Sequence, residues 1–298
     1  MCLAKTKNSE DNMKIEIQIL VLIAIIFGSA IQQVFKKAYN NRGGNSIYIF
    51  CGLTVLAAAI FFAASADYPL NFTWDFVPFS VGFAAGYLCA TIFTMYAIKE
   101  GSLSLTSLAL SFSLLIPTVF GLIFFDEPLT VWFFIGLGLL ILSIVFINTK
   151  GGEIKITFKW FIFVFLAFVG NGACSAVQNS YAKLHNTGSS EFMIVALSIV
   201  FVSLMVLSLL KERENIIPTA KNFWYLAILC GVANGATNLF VILLSGSDMP
   251  ASIMYPLISA GCIVLTSLVS IFIYREKLSV LQYIGMVLGI GAIVFLNI

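Results

Sequence analysis

The sequence predicts an all-α integral membrane protein with ten transmembrane helices, arranged as two inverted repeats of five helices each. Three observations lead to this prediction. Hydrophobic residues make up 60% of the chain and charged residues only 10%, whereas a soluble domain carries about 25% charged residues. The few charges divide the chain into long apolar runs. The pattern of the first half of the chain recurs in the second half.

Ten runs of the chain contain no Asp, Glu, Lys or Arg, and each is at least 19 residues long. About 20 apolar residues span the hydrocarbon core as a helix, and a helix satisfies its own backbone groups in lipid. A transmembrane β-barrel requires short strands of alternating hydrophobicity, a pattern that these runs do not show. The predicted helices occupy residues 17–35, 43–66, 76–98, 101–125, 128–149, 160–182, 192–210, 222–247, 249–274 and 278–298.

Polar segments delimit the two predicted repeats. Residues 1–14 are polar and of mixed charge, and we predict that they form a flexible tail. The first repeat covers residues 15–149, a linker covers residues 150–159, and the second repeat covers residues 160–298. Helix 1 is expected to be retained, because Gln32, Gln33 and the lysines after them do not form the small-residue cleavage site of a signal peptide.

The two halves of the chain align without gaps at an offset of 149 residues. This offset pairs Glu127 with Glu276, Gly136 with Gly285 and Asn148 with Asn297. Near the start of each half the offset is 146, which pairs Gln32 with Gln178. Such self-similarity indicates an internal duplication. Because each copy has an odd number of helices, the second copy must be inverted in the membrane, an architecture typical of transporters.

Glycines and prolines predict where the helices approach each other and where they bend. Gly82 and Gly86 form a GxxxG pattern in helix 3, and Gly231 and Gly235 repeat it in helix 8. Such pairs allow helix backbones to come close together. Pro117 is expected to kink helix 4.

Uncharged polar side chains inside the apolar runs form the candidate site, because a polar solute needs hydrogen-bonding groups that lipid does not offer. Spacings of three and four residues place the polar groups of helix 6 on one face, and those of helix 8 likewise. The predicted substrate-binding residues are Gln32, Tyr87, Asn171, Gln178, Asn234, Asn238 and Tyr255. The alternative for each residue is a hydrogen bond that only joins two helices.

The sequence gives little support to other chemistries. The six cysteines are scattered singly and resemble small buried side chains more than metal ligands. A phosphate-binding loop and a nucleophile–base pair are both missing. We therefore predict no catalytic residue, no metal and no cofactor, and we do not expect an enzyme. His185, the single histidine, is expected to be a solvated loop residue.

The charged breaks after the fourth helix of each half carry a family resemblance. Glu127 stands in the sequence DEPL and Glu276 in REKL, each followed by a glycine and an apolar stretch that ends in asparagine. On these features, residues 15–298 resemble the EamA-type ten-helix proteins of the drug/metabolite transporter superfamily. The resemblance implies a permease that moves small organic metabolites or drugs across the bacterial inner membrane. The chain lacks the carboxylate that short four-helix relatives carry in their first helix.

Two other classes of protein remain open. One is an integral-membrane enzyme such as an acyl or prenyl transferase, which would usually carry acidic and histidine clusters at the membrane surface. The other is a membrane protein that does not transport. The expected partners are a small-molecule substrate and the lipid bilayer, without nucleic acid, and the chain is expected to be a monomer or a homodimer. Most of the 16 Lys and Arg residues follow odd-numbered helices, which places both termini outside the cytoplasm.

Overall fold

The structure is a computed structural model that describes residues 2–66, 68–70, 72, 74–100, 110, 112–125, 131–147, 157–185, 188–272 and 280–296. The regular elements in these ranges are all helical, which confirms the predicted all-α class. The α-helices are α1 (Cys2–Asn41), α2 (Ile47–Ser65), α3 (Val77–Glu100), α4 (Leu115–Phe124), α5 (Val131–Ile147), α6 (Phe158–Leu184), α7 (Ser189–Lys211), α8 (Ile216–Ser245), α9 (Ala251–Phe272) and α10 (Val280–Leu296).

Six of these helices, α1 to α3 and α6 to α8, are long and apolar enough to cross a membrane. Each of the six contains one of the predicted charge-free runs, or most of it, and about 20 apolar residues are enough for a helix to cross the hydrocarbon core. The apolar helices α4, α5, α9 and α10 contain shorter spans among the described residues. Ten crossings therefore remain a prediction.

The structure differs from the prediction at two boundaries. The residues expected to form a flexible tail are helical, because α1 begins at Cys2. They contain neither Gly nor Pro, so a helix continues through them without an interruption. α6 begins at Phe158, inside the predicted linker, where the Thr157 side chain accepts a hydrogen bond of 3.2 Å from the backbone N–H of Trp160. Thr157 is thus an N-cap that the sequence analysis did not identify.

The predicted kink at Pro117 is also corrected, because helix 4 is interrupted earlier. A turn at Ser113 and Leu114 precedes α4, and the N–H of Ile116 donates to the Ser113 carbonyl at 3.1 Å. Pro117 therefore lies in the first turn of α4, where a backbone N–H would have no partner within the helix, so proline is tolerated there. Residues 101–109 of the predicted helix lie outside the described residues, as do Glu127, Glu276, Asn148 and Asn297.

The helices of the first half of the chain pack mainly against those of the second half. α1 packs on α8 and α9, α2 packs on α7 and α8, and α3 packs on α6 and α7. α4 packs on α6, and α5 packs on α10. Two examples show antiparallel packing. The start of α2 lies at the end of α7, where Ser46 bonds to Glu212, and the start of α5 lies at the end of α10, where Trp132 stacks on Phe295.

Glycines bring several of these helices into backbone contact. A Cβ atom on Gly86 would lie 2.9 Å from the Gly170 carbonyl oxygen, so α3 and α6 touch at this point. A Cβ atom on Gly231 would lie 2.3 Å from the Thr54 carbonyl oxygen of α2. The predicted close approach at the GxxxG glycines is present at both positions. Gly82 differs, because its Cβ position would lie 3.6 Å from Val177, an ordinary contact.

An aromatic group joins α3, α6 and α7 near the end of α6. Tyr181 stacks on Phe192 with ring centroids 4.4 Å apart and on His185 at 4.7 Å, and Phe79 meets His185 edge-on. His185 is therefore half-buried between aromatic rings. His185 lies in the connection after α6, as expected, but stacking on the ring of Tyr181 one turn earlier shields part of the imidazole from water.

Candidate functional site

Five of the seven predicted site residues form one hydrogen-bonded network between α1, α3, α6 and α8. They are Gln32, Tyr87, Gln178, Asn234 and Asn238. Gln32, Gln178 and Asn234 are at most 8% exposed. Buried amides in an apolar interior require partners, and here the amides supply most of those partners to one another.

Asn234 is the centre of the network. Its Nδ2 donates to Gln32 Oε1 at 2.9 Å, and its Oδ1 accepts from the Tyr87 hydroxyl at 3.1 Å. The same oxygen accepts from Asn238 Nδ2 at 3.3 Å. Because Gln32, Tyr87 and Asn234 lie on α1, α3 and α8, this one side chain connects three helices of both halves.

The second arm of the network joins α6 to α8. Gln178 Nε2 donates to the Asn238 backbone carbonyl at 3.0 Å and to Asn238 Oδ1 at 3.4 Å. Gln32, the counterpart of Gln178 in the repeat alignment, also donates to α8, where Thr237 Oγ1 accepts at 3.1 Å. The two glutamines that the repeat alignment pairs thus bind neighbouring residues of one helix.

The two remaining predicted residues lie outside this network. Asn171 donates to Ser113 Oγ at 2.6 Å, in the turn before α4. The Tyr255 hydroxyl of α9 donates to the Ser175 backbone carbonyl of α6 at 3.0 Å. Both residues extend the polar surface of α6 toward α4 and α9, but neither contacts the amides of α8 through a hydrogen bond described here.

The sequence analysis missed two polar residues of this region. Thr237 receives the Gln32 amide and donates to the Ala233 carbonyl at 2.7 Å. Its position between Asn234 and Asn238 was a usable signal, since it shares their stretch of helix 8. Asn179 follows Gln178 and is fully buried. A one-residue step rotates a side chain to a different part of the helix surface, so the helical spacing that selected Gln178 did not select Asn179.

The network contains amides and hydroxyls and no fixed charge. Its groups both donate and accept hydrogen bonds, so the same side chains that bind one another have the chemistry to bind a neutral polar solute. Opposing helices of the two halves carry these groups, so a relative movement of the halves would separate them. The network also has a purely structural reading, in which these bonds fix the helices in place.

These features define a helical membrane protein with an uncharged polar network between helices of its two halves. Comparison with protein families adds a similarity. The model of the EamA-like transporter family matches residues 158–298, so this part of the chain is similar to that family, and the predicted resemblance is confirmed over these residues. The matched segment coincides with the predicted second repeat apart from its first two residues.

Comparison with solved structures supports the fold of the whole chain. Twenty-eight chains match, and one of them, described as the crystal structure of a protein, has a TM-score of 0.75 and 15% sequence identity. The match covers 94% of this chain and 96% of that one. At this identity the likeness concerns the fold alone. A comparison with curated proteins gave no match.

Proposed function

We propose that the protein is a secondary transporter of the bacterial inner membrane that moves a small neutral or zwitterionic organic solute. The observation that carries this proposal is the uncharged hydrogen-bonded network around Asn234, which lies between helices of the two halves. During transport, the solute replaces hydrogen bonds within this network and binds to the side chains of Gln32, Tyr87, Gln178 and Asn238. The match of residues 158–298 to the model of a transporter family supports the same function.

Alternating access in this proposal uses two inverted repeats, α1 to α5 and α6 to α10. The helix packing supports the repeat. Each helix of one repeat has an equivalent in the other, five positions along the helix order. Replacing α1 and α8 by their equivalents gives α6 and α3, and both pairs pack in the structure. The pair α1 and α9 becomes α6 and α4, again a packed pair.

Antiparallel contacts between equivalent helices support the inversion. α2 and α7 occupy the same place in the two repeats, and Gly52 of α2 faces Met205 near the end of α7. α5 and α10 are likewise equivalent, and the Ser143 hydroxyl donates to the Gly285 carbonyl at 2.6 Å. Equivalent helices that run antiparallel across a shared contact are typical of a two-fold axis in the membrane plane.

The experiment is a counterflow assay in proteoliposomes that contain the full chain. The vesicles are preloaded with unlabelled solute, and the external probes are radiolabelled L-glutamine, uridine and N-acetylglucosamine, with L-glutamate and L-arginine as charged controls. We expect accumulation of at least one uncharged or zwitterionic probe above protein-free vesicles. The Asn238→Leu variant should lose this accumulation, because it removes an amide from the network. Ser208→Ala, a change on α7 outside the network, should retain it.

Counterflow of charged probes alone would contradict the proposed neutral site. Absence of counterflow for every probe would contradict transport of these three solute classes and favour the non-transporting alternative. Conversion of a probe to a new compound, detected by chromatography of the vesicle contents, would instead identify a membrane enzyme.

A further inference from the structure

Asn179 is a buried amide without a hydrogen-bond partner among the described residues. Its side chain is 0% exposed, and neither Nδ2 nor Oδ1 makes a hydrogen bond there. The adjacent Gln178, which is 3% exposed, uses its amide to bind Asn238. Burial of an unpaired amide costs about 1–3 kcal/mol, so an apolar side chain of the same size would be more stable at this position.

The contacts on either side of Asn179 locate it. The Ser175 carbonyl, one turn earlier, is the acceptor of the Tyr255 hydroxyl of α9 at 3.0 Å. In an α-helix the same carbonyl accepts the backbone N–H of residue 179, so Asn179 lies beside the Tyr255 hydroxyl. On the following turn, the Ala182 carbonyl lies 3.5 Å from the Cβ position of Gly246, at the end of α8.

Positions 175, 179 and 182 share one face of α6, which places Asn179 on the side of α6 that meets α8 and α9. This junction continues the polar surface that begins at the Gln178–Asn238 contact. A buried polar side chain with a purely structural role is normally hydrogen-bonded within the fold. The Asn179 amide lacks such a bond among the described residues, although the amides next to it are paired. Functional sites are the places where proteins retain such unfavourable groups.

We infer that Asn179 lines the solute pathway and binds the transported solute with its amide, at a subsite formed with Tyr255 between α6, α8 and α9. This inference rests on the proposed function. The ligand is a polar group that both donates and accepts a hydrogen bond, such as a hydroxyl or a carboxamide, because the Asn side chain offers both functions. In this structure the Asn179 amide is buried and has no partner among the described residues. It becomes accessible to the solute when the halves separate.

The first experiment measures whether water reaches position 179. The Asn179→Cys variant of the full chain is reconstituted in proteoliposomes and treated with a membrane-impermeant methanethiosulfonate, and labelling is quantified for each cysteine by peptide mass spectrometry. Native Cys174 lies on the same helix but faces α3, near Gly86, and serves as the internal control. We expect the cysteine introduced at position 179 to react at least about tenfold faster than Cys174, because only the thiolate in water reacts.

The second experiment separates binding from stability. Asn179→Leu should raise or maintain the thermal unfolding midpoint, because no hydrogen bond is lost, and should reduce counterflow by about tenfold, the effect of about 1.4 kcal/mol. The matched control is Ser208→Ala, which removes a buried hydroxyl that also lacks a partner among the described residues, and it should leave counterflow unchanged.

The outcomes distinguish this inference from the proposed function. Labelling at position 179 as slow as at Cys174 would overturn the inference, and so would fast labelling combined with wild-type counterflow in Asn179→Leu. Absence of counterflow by the unmodified protein would overturn the proposed function, and the labelling experiment would still decide whether the aqueous pathway reaches residue 179.

Discussion

At the scale of single residues, Asn234 illustrates how an apolar interior depends on a few polar contacts. Three side chains, Gln32, Tyr87 and Asn238, use its amide. A hydrogen bond between membrane helices contributes about 0.6 kcal/mol on average. A buried polar group that is left without a hydrogen-bond partner destabilises the protein by more, about 1–3 kcal/mol. Substitution of the central residue should therefore destabilise the protein more than substitution of a residue at the edge of the network.

This difference gives the first prediction. Tyr87→Phe removes one hydroxyl and should destabilise the protein by about 0.6 kcal/mol, because Asn234 keeps its other two partners. Asn234→Leu leaves Gln32 and Tyr87 each without this partner and should cost at least about 2 kcal/mol. Unfolding of both variants in detergent, followed by circular dichroism against denaturant concentration, measures the difference. Equal effects of the two substitutions would contradict a central role for Asn234.

Glu212 is a second residue with a defined local role. Its carboxylate lies at the N-terminus of α2, where it accepts from the Ser46 hydroxyl at 2.5 Å and from the backbone N–H groups of Ile47 and Tyr48 at 3.2 and 3.1 Å. The first N–H groups of a helix have no partner within the helix. A carboxylate supplied by the connection after α7 therefore caps α2 and also compensates the positive end of its dipole.

The second prediction follows from this cap. Glu212→Ala should destabilise the protein by about 1–2 kcal/mol, the usual cost of losing an N-cap. Glu214→Ala is the matched control, since it removes an exposed carboxylate from the same connection and should have an effect within about 0.5 kcal/mol. Thermal unfolding midpoints of the two variants in the same detergent compare them. Similar midpoints would show that the cap contributes nothing measurable.

At the scale of helices, the glycines separate close packing from sequence pattern. The GxxxG pattern occurs in α3 and in α8, yet its four glycines differ in what surrounds them. Gly231 and Gly86 lie against backbone atoms of a neighbouring helix, whereas Gly82 has an ordinary contact with Val177. The pattern alone treats the positions as equal, and the helix contacts determine which of them tolerates a side chain.

The third prediction compares two of these glycines. Gly231→Ala should force α8 away from α2, because its Cβ atom would lie 2.3 Å from the Thr54 carbonyl oxygen, and overpacking of this kind costs about 1–3 kcal/mol. Gly82→Ala should be neutral or stabilising by up to about 1 kcal/mol, since alanine favours the helix and its contact is 3.6 Å. Size-exclusion profiles and thermal unfolding of the two variants provide the measurement. Normal stability of Gly231→Ala would contradict the close approach.

At the scale of the whole molecule, basic side chains mark one end. Arg42 bonds to Tyr225, Lys211 lies over the Tyr48 ring, and the Lys159 ammonium lies 2.5 Å from the Glu100 carboxylate. These groups belong to the same end, because the Tyr48 hydroxyl also meets the Tyr96 hydroxyl one turn before the end of α3. Lys183 lies at the other end of α6, over the Phe125 ring.

The fourth prediction concerns orientation. Basic residues next to membrane helices favour the cytoplasmic side, so the end that carries Arg42, Lys159 and Lys211 should face the cytoplasm and both termini should lie outside. A C-terminal fusion to alkaline phosphatase should be active, and a C-terminal fusion to green fluorescent protein should be dark. A fluorescent fusion together with an inactive phosphatase would reverse the orientation without changing the fold.

The sequence alone determined the features that depend on local composition. Charge-free runs gave the positions of the helices, because the length of an apolar segment and its backbone hydrogen bonding are local properties. The pairing of residues at fixed offsets predicted a duplication, and the family match covers its second copy. Helical spacing also selected the polar faces, and five of the seven selected residues meet in one network. Whether that network binds a substrate remains a prediction.

Only the tertiary structure decided which groups meet across the chain. The Glu212 cap joins residues 165 positions apart along the chain, and the bond between Asn234 and Gln32 spans 202. Asn171 and Tyr255 have the same polar chemistry as the network, yet the packing of α4 and α9 directs them to other partners. Asn179 has no partner among the described residues for the same reason. Hydrogen-bond partners in an apolar interior come from neighbouring helices, and their arrangement is not encoded in any single helix.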